Sequence, residues 1–462
     1  MVTSLADEIM REDTHAVAEI LRSYVDVNQV DEYGFTYLIE AAIANNTEIA
    51  KMLIDAGADV NAQDATGGTA LHWAAENNNL ALGKLLLERG ANPNAYNLAG
   101  QPVLTMPLLR HQQSFKKLLQ SRGALLSFAQ DYINTKLLGH MFELVGTADL
   151  IDPQNNFVEL DFEGFYLEFS IGVIAESLAQ FQNHFAARKL RRFSELAKVT
   201  LNVMQRAARL IQFQQYKTDL GRHQTEIDDL MKKEPLLIPV GYEGHAITFI
   251  KLGNILAKID RREDSRLYDN IMLYMVKNSK NFNAEFLQGL IYDKSSHEFI
   301  NAQLPEILGL EPITELKVEA QVSGNCSWAN VEAVIPTIIF LLLMASPDSD
   351  KNIAQYKSQA LYYFNEWRQW NKDRALQFCI QSFKDGDTIR IVCKAEILAA
   401  ILYQRCHIDN MADRDRIEGI LMILRQPAYA HVLQNYIRSY CYENSSAEGQ
   451  DFLKMLKLSG YV

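Results

Sequence analysis

The stretch Thr69–Asn94 reads TALHWAAENNNLALGKLLLERGANPN, an apolar helical pattern that closes on a glycine. Its parts return at a constant spacing. Gly57-Ala58-Asp59-Val60-Asn61 recurs as Gly90-Ala91-Asn92-Pro93-Asn94 and again as Gly123-Ala124. Thr36-Tyr37-Leu38 returns as Thr69-Ala70-Leu71-His72 and then as Pro102-Val103-Leu104, while Asp26-Val27-Asn28 is a degenerate early copy of Asp59-Val60-Asn61. The period is 33 residues throughout, which marks a solenoid whose repeats bury their apolar faces against one another. Ala41, Ala42, Ala74 and Ala75 let helices approach closely, Gly57, Gly90 and Gly123 end helices, and Leu53, Leu86 and Leu119 fill the core between repeats.

This pattern resembles the ankyrin repeat, and it predicts about four repeats, an all-α solenoid over residues 1–127. The resemblance implies a concave protein-binding face built from turn tips and first helices. Tyr33, Phe35, Asp64, Thr66, Trp73, Glu76, Asn97 and Ala99 are the candidate contacts. His72 is expected to brace the turn of its own repeat rather than bind a ligand. Leu53 followed by Asp59-Val60-Asn61 is similar to the substrate pattern of the asparaginyl hydroxylase that modifies ankyrin repeats, which makes Asn61 a candidate modification site.

A chain of 462 residues exceeds one ordinary core and predicts two or three domains. Its net charge of −12 argues against a direct nucleic-acid or anionic-membrane binder. The start MVTSLADEIMREDTH carries acidic residues where a secretory signal needs basic ones. The longest apolar run, Ala333–Ala345, has 13 residues and suits a buried core helix rather than a membrane span. Five cysteines, Cys326, Cys379, Cys393, Cys406 and Cys441, are odd in number and lack zinc spacing, so reduced thiols and no metal are expected. No cofactor is implied.

Residues 128–235 read as a helical connector, with turn signals at Asp152-Pro153-Gln154 and Glu163-Gly164. The basic cluster Arg188-Lys189-Leu190-Arg191-Arg192 reads as a solvated helix face. From Pro239 the period changes to that of strands, at Gly244–Ile250, Asn254–Asp260, Asn270–Val276 and Glu315–Gln321. A helix follows from Cys326, giving a core over 236–345, and residues 346–462 are helical with a break at Asp385-Gly386-Asp387. The fold class expected is α+β multidomain: a solenoid, a connector, an α+β domain and helical additions.

Within that core, a two-residue turn at Leu252-Gly253 makes facing residues sum to 505, which places His245 opposite Asp260 on one face of the sheet. A carboxylate there, Asp260 or else the nearby amide of Asn254, holds one imidazole nitrogen and leaves the other as a base. Cys326 stands at the first turn of its helix, where partial positive charge and a neighbouring imidazolium depress a thiol pKa. Gln321 and the Cys326 N–H supply two donors for an oxyanion.

The segment Gln321…Gly324-Asn325-Cys326-Ser327-Trp328-Ala329 resembles the glutamine and cysteine segments of papain-like enzymes, and His245-Ala246 resembles their histidine strand. The chain order His, Asp, Gln, Cys is that of adenain and the ubiquitin-like-protein proteases. The resemblance implies catalytic roles for Cys326, His245, Asp260 and Gln321 in peptide or isopeptide cleavage. Gln321 precedes the thiol by five positions where that family has six, and Trp328 stands two after it.

The combination of repeats, helical middle and cysteine module resembles the ankyrin-repeat effectors of Legionella. That resemblance implies delivery through a type IV secretion system into a host cell, to its cytosol or nucleus. It also implies host-protein partners on the ankyrin face and a ubiquitin-like or peptide substrate. The tail Glu443–Val462 is compatible with a translocation signal. Two functions follow from these residues: a thiol hydrolase, or an adaptor whose protease-like pocket binds without turnover.

Overall fold

The structure is a computed structural model that describes residues 4–23, 25–31, 34–242, 244–262, 271–322, 324–346, 352–384, 388–443 and 446–461. The chain forms two compact units, Met1–Leu137 with Gly146–Asp161 and Asp387–Glu396, and Leu138–Val145 with Phe162–Gly386 and Ile397–Val462. The expected break at Asp385-Gly386-Asp387 lies outside the described residues.

The first unit begins with four helix pairs: Leu5–Met10 with Thr14–Leu21, Tyr37–Ile43 with Thr47–Asp55, Ala70–Glu76 with Leu80–Glu88, and Thr105–Leu109 with Gln113–Ser121. Side-chain caps set the starts of several, as where Thr36 accepts from the Ile39 N–H and Asn79 from the Leu82 N–H. Leu53, Leu86 and Leu119 are fully buried, as are Ala41, Ala42, Ala74 and Ala75. Each turn between pairs closes on a bridge, Val30 with Thr36, Gln63 with Thr69 and Tyr96 with Pro102.

A second periodic device ties the repeats together. Asn28, Asn61 and Asn94 each donate to the carbonyl of Gly57, Gly90 and Gly123, at 3.3, 3.1 and 2.9 Å. Each amide oxygen then accepts from the next repeat, from the N–H of Asp59, Asn92 and Leu125, each at 2.8 Å. The side chain thus satisfies one acceptor and one donor that the turn leaves open.

The connector is not wholly helical. After the helix Leu126–Phe142, strands β1 (Thr147–Ile151) and β2 (Phe157–Asp161) form an antiparallel hairpin. Its reversal uses the Asp152-Pro153-Gln154 turn, where the Asp152 carboxylate accepts from the N–H groups of Gln154 and Asn156. Leu150, Val158 and Leu160 pack on Phe128 and Tyr132. Five-residue strands are too short to interrupt the helical reading of a window twice their length.

The second unit holds helices Leu167–Asn183 and Ser194–Gln212 and a five-stranded antiparallel meander in sequential order: β3 (Leu236–Tyr242), β4 (His245–Leu252), β5 (Ile255–Ile259), β6 (Ile271–Val276) and β7 (Leu310–Glu315). The strand expected over Glu315–Gln321 ends where it was expected to begin. β7 contains Pro312, which an edge strand tolerates, and it pairs with β6 through a register shift at Leu273/Tyr274. Beyond it the backbone serves side chains instead: Arg261 Nε donates to the Glu319 carbonyl at 2.7 Å and the Gln321 N–H to the Arg261 carbonyl at 2.8 Å.

The apolar run forms the helix Val334–Ala345, following Cys326–Glu332 almost without interruption. Among the described residues this stretch, Cys326–Ala345, is long and apolar enough to cross a membrane. It is a core helix by burial, since 78% of its most apolar window lies inside the fold.

Candidate active site

The turn joining β4 to β5 decides which side chains meet. Leu252 pairs with Ile255 and Thr248 with Ile259, so the turn residues are Gly253 and Asn254 and facing numbers sum to 507, not 505. Gly253 takes φ +58°, the backbone that a type II′ turn reserves for its first central residue. The offset is two residues. Because side chains alternate with period two, a slip of two leaves both residues on the same face, displaced along the strand but not turned over. His245 and Asp260 therefore meet on the diagonal, Nε2 to Oδ1 at 3.0 Å. Asp260, not Asn254, orients the ring; Asn254 lies in the turn, and its carbonyl accepts from the Val276 N–H.

Cys326 opens its helix, and Asn325 before it does not cap that helix. Its amide is held elsewhere, since Oδ1 pairs with His140 Nδ1 at 2.6 Å and Nδ2 donates to the His140 carbonyl at 3.2 Å. The His140 ring stacks on Trp328, with ring centres 6.5 Å apart. The His245 side chain and the Ser327 N–H both act on the thiol, drawing it toward its charged form. The Ala246 N–H also donates to its sulfur, at 3.4 Å.

Asp260 occupies Nε2, which leaves Nδ1 as the ring's other nitrogen. Electrostatics at the three groups are coupled. Burial opposes charge at each, but hydrogen bonds and opposite charges outweigh it. Burial pulls the His245 imidazole down, while Asp260 and Cys326 together raise it to about 9. Burial pushes the Cys326 thiol up, yet His245 and the Ala246 and Ser327 amides hold it below its ordinary value. Asp260 is likewise kept ionised against burial by His245, Lys258 and Arg262. Both shifts favour the charged forms, thiolate and imidazolium, over what each group would hold alone.

Asn330, which the sequence offered no reason to choose, locks this arrangement. It is fully buried one helical turn after Cys326. Its Nδ2 donates to the Ala246 carbonyl at 2.6 Å, its Oδ1 accepts from the Arg261 N–H at 2.8 Å, and its carbonyl accepts from Thr248 Oγ1 at 3.3 Å. One amide thus ties the thiol's helix to the strand of His245 and to the residue after Asp260. The only clue available was an Asn amid apolar residues on a core helix.

Gln321 is buried, at 7% exposure, and its Oε1 accepts no hydrogen bond among the described residues. Its main-chain N–H donates to the Arg261 carbonyl, and among the described residues no hydrogen bond joins it to Cys326. The remaining thiols differ in kind: Cys379, Cys393, Cys406 and Cys441 are buried, whereas Cys326 is partly accessible. Burial pushes both Cys393 and Cys406 to about 12.

On the ankyrin unit the candidate contacts divide. Asp64 is buried, its carboxylate taken by the N–H groups of Thr66 and Gly68 at 2.8 and 2.9 Å, so it shapes the turn. Asn97 does the same one repeat later, for Ala99 and Gln101. Thr66 and Ala99 are exposed; Phe35 and Trp73 are half-buried and meet edge to face, 6.4 Å between centres. Glu76 is paired with Arg110 at 2.9 Å, and Tyr33 lies outside the described residues. His72 accepts from the Thr69 N–H at 3.1 Å and reaches the Gln101 carbonyl at 3.3 Å, and burial lowers it to about 4.

The chain resembles known proteins at two scales. Residues 6–97 match the family of ankyrin repeats, in three copies. Over the whole length, the chain is similar to a solved structure described as that of the Legionella effector AnkH, at 38% sequence identity and a TM-score of 0.84, with 100% of this chain and 98% of that one covered. No curated protein sequence matches.

Proposed function

The chain belongs to the same family as the Legionella effector AnkH, and from that kinship we propose that it is an effector delivered into a host cell, where its ankyrin repeats hold host proteins and Cys326 cleaves an acyl bond. The papain-like reading of residues 236–345, type IV delivery, and action in the host cytosol or nucleus are parts of this proposal.

The observation that carries it is the His245–Asp260 hydrogen bond at 3.0 Å, with the Cys326 sulfur held on the N–H of Ala246, the residue next to His245. In the reaction the thiolate attacks the carbonyl carbon of a peptide or isopeptide bond, forming the C–S bond and pushing the carbonyl electrons onto oxygen. The oxyanion collapses, the C–N bond breaks, and the imidazolium gives its proton to the leaving amine. Water, deprotonated by the now neutral His245, then cleaves the thioester and frees the thiol. Asp260 keeps the ring aligned and its cation stabilised, as a buried carboxylate does in a triad. Gln321 is assigned the donor for the oxyanion through its Nε2, the role that the resemblance to papain-like enzymes implies for it.

The test is covalent labelling of the full chain by a ubiquitin or SUMO vinyl sulfone and by a general thiol electrophile. Labelling lost in Cys326→Ala and kept in Cys379→Ala supports the hydrolase. Equal, slow labelling of all five thiols would assign the adaptor reading, in which the repeats and the pocket bind without turnover.

A further inference from the structure

A cavity of about 500 Å³ lies within the second unit, and its wall carries Arg261, Lys317, Arg368, Lys372, Arg405 and Arg416. Three carboxylates share that wall, Glu143, Glu319 and Asp413. Much of the charge is already matched. Arg261 pairs with Glu332 at 2.8 Å and with Glu143 at 3.4 Å. Arg368 pairs with Glu143 at 2.8 Å and with Glu319 and Glu332 at 3.1 Å each. Arg416 is held by Asp373 at 2.6 Å and Asp413 at 2.9 Å.

Two cations stand apart from this matching. Arg405 donates from Nε to the main-chain carbonyl of Glu143 at 3.1 Å and makes no ion pair among the described residues. Lys372 has no hydrogen-bond acceptor among the described residues; its ammonium lies 5.7 Å from the centre of the Phe142 ring. The Lys372 side chain is partly accessible, so its ammonium is open to a partner from solution. Burial, then the neighbouring Arg368, pull the Lys372 amine down to about 8, against the opposite pull of Glu143 and Glu332.

We propose that this cavity binds a phosphoryl group, an anion of the phosphate-monoester or pyrophosphate class held by Lys372 and Arg405. A tetrahedral dianion offers an acceptor to the lysine's point charge and to the guanidinium fork at once. The cavity has room for a small organic group attached to it. The assignment is independent of the chemistry at Cys326.

The test is the melting temperature of the full-length chain in inorganic phosphate, in pyrophosphate, in succinate, and in chloride at matched ionic strength. A saturable rise is expected for phosphate or pyrophosphate over chloride. Lys372→Met keeps the length of the side chain and removes its charge, so it is expected to fold and to weaken that binding tenfold or more. Lys189→Met, in the exposed basic cluster, is expected to leave it unchanged. No saturable rise in the unmodified chain, an equal rise in Lys372→Met, or an equal rise with succinate would overturn the assignment.

Discussion

The side chain of Asn330 donates to the carbonyl of Ala246 at 2.6 Å, and the N–H of that same Ala246 donates to the sulfur of Cys326. One peptide unit of β4 is therefore gripped from both ends by the helix that carries the thiol. Replacing Asn330 by alanine strands the Ala246 carbonyl and the Arg261 N–H in a dry interior. A loss of about 2–5 kcal/mol in urea unfolding of the whole chain is expected. The alkylation rate of Cys326 below the denaturing range should also fall. Wild-type rates and stability in Asn330→Ala would show that the grip is not needed.

The ion pair at Cys326 has a pH signature. Its thiolate forms below the ordinary thiol range, and the imidazolium beside it is lost as pH rises through about 9. Iodoacetamide labelling should therefore begin at a lower pH than an ordinary thiol allows. In His245→Ala the thiolate loses its main partner, and the rate at pH 6.5 is expected to fall tenfold or more, with a single rise near pH 8.5–9. Asp260→Asn should shift the loss of the imidazolium to lower pH, because the ring then lacks its carboxylate, and move the Cys326 profile toward that of an ordinary thiol. A profile that does not move in either variant would remove the coupling.

Glu40 gives the ankyrin unit an acid-side stability. Burial first, then Asp31 and Asp7, raise its carboxyl to about 7. The folded state thus holds this proton more tightly than the unfolded state, whose value is near 4.5. Stability from this group is present below about 4.5 and is lost as pH rises through 7. Glu40→Gln should raise the unfolding midpoint at pH 8 and change it far less at pH 5; an equal effect at both would contradict the shift.

Asn61→Ala removes the donor to Gly90 and the acceptor for Asn92. The turn is exposed, so water replaces part of what is lost, and a destabilisation of about 1–2 kcal/mol in urea unfolding is expected. Asn61→Asp keeps the acceptor and should cost less than alanine.

Much of this architecture is legible because it repeats. A 33-residue period is read from alanines, leucines and glycines without any knowledge of contacts, and the helix pairs follow from it. His245 and Asp260 were found through a register that was wrong by two residues, since only an odd error would have separated them. Residues without a period were invisible: Asn330 acts across 69 positions with Arg261, and Arg368 across 225 with Glu143, and nothing local announces such partners. Asp64 and Asn97 misled in the opposite sense, because a polar residue at a turn tip suits a partner and an Asx turn equally well.

The asparagine rungs at residues 28, 61 and 94 impose a rule on how the array can change in length. Each rung reaches a glycine 29 positions ahead and an N–H 31 positions ahead. Adding or deleting one whole unit hands every rung to an equivalent neighbour, whereas a gain of a few residues between rungs breaks the one that spans it. Growth of the solenoid is thus quantised, in steps the size of its period.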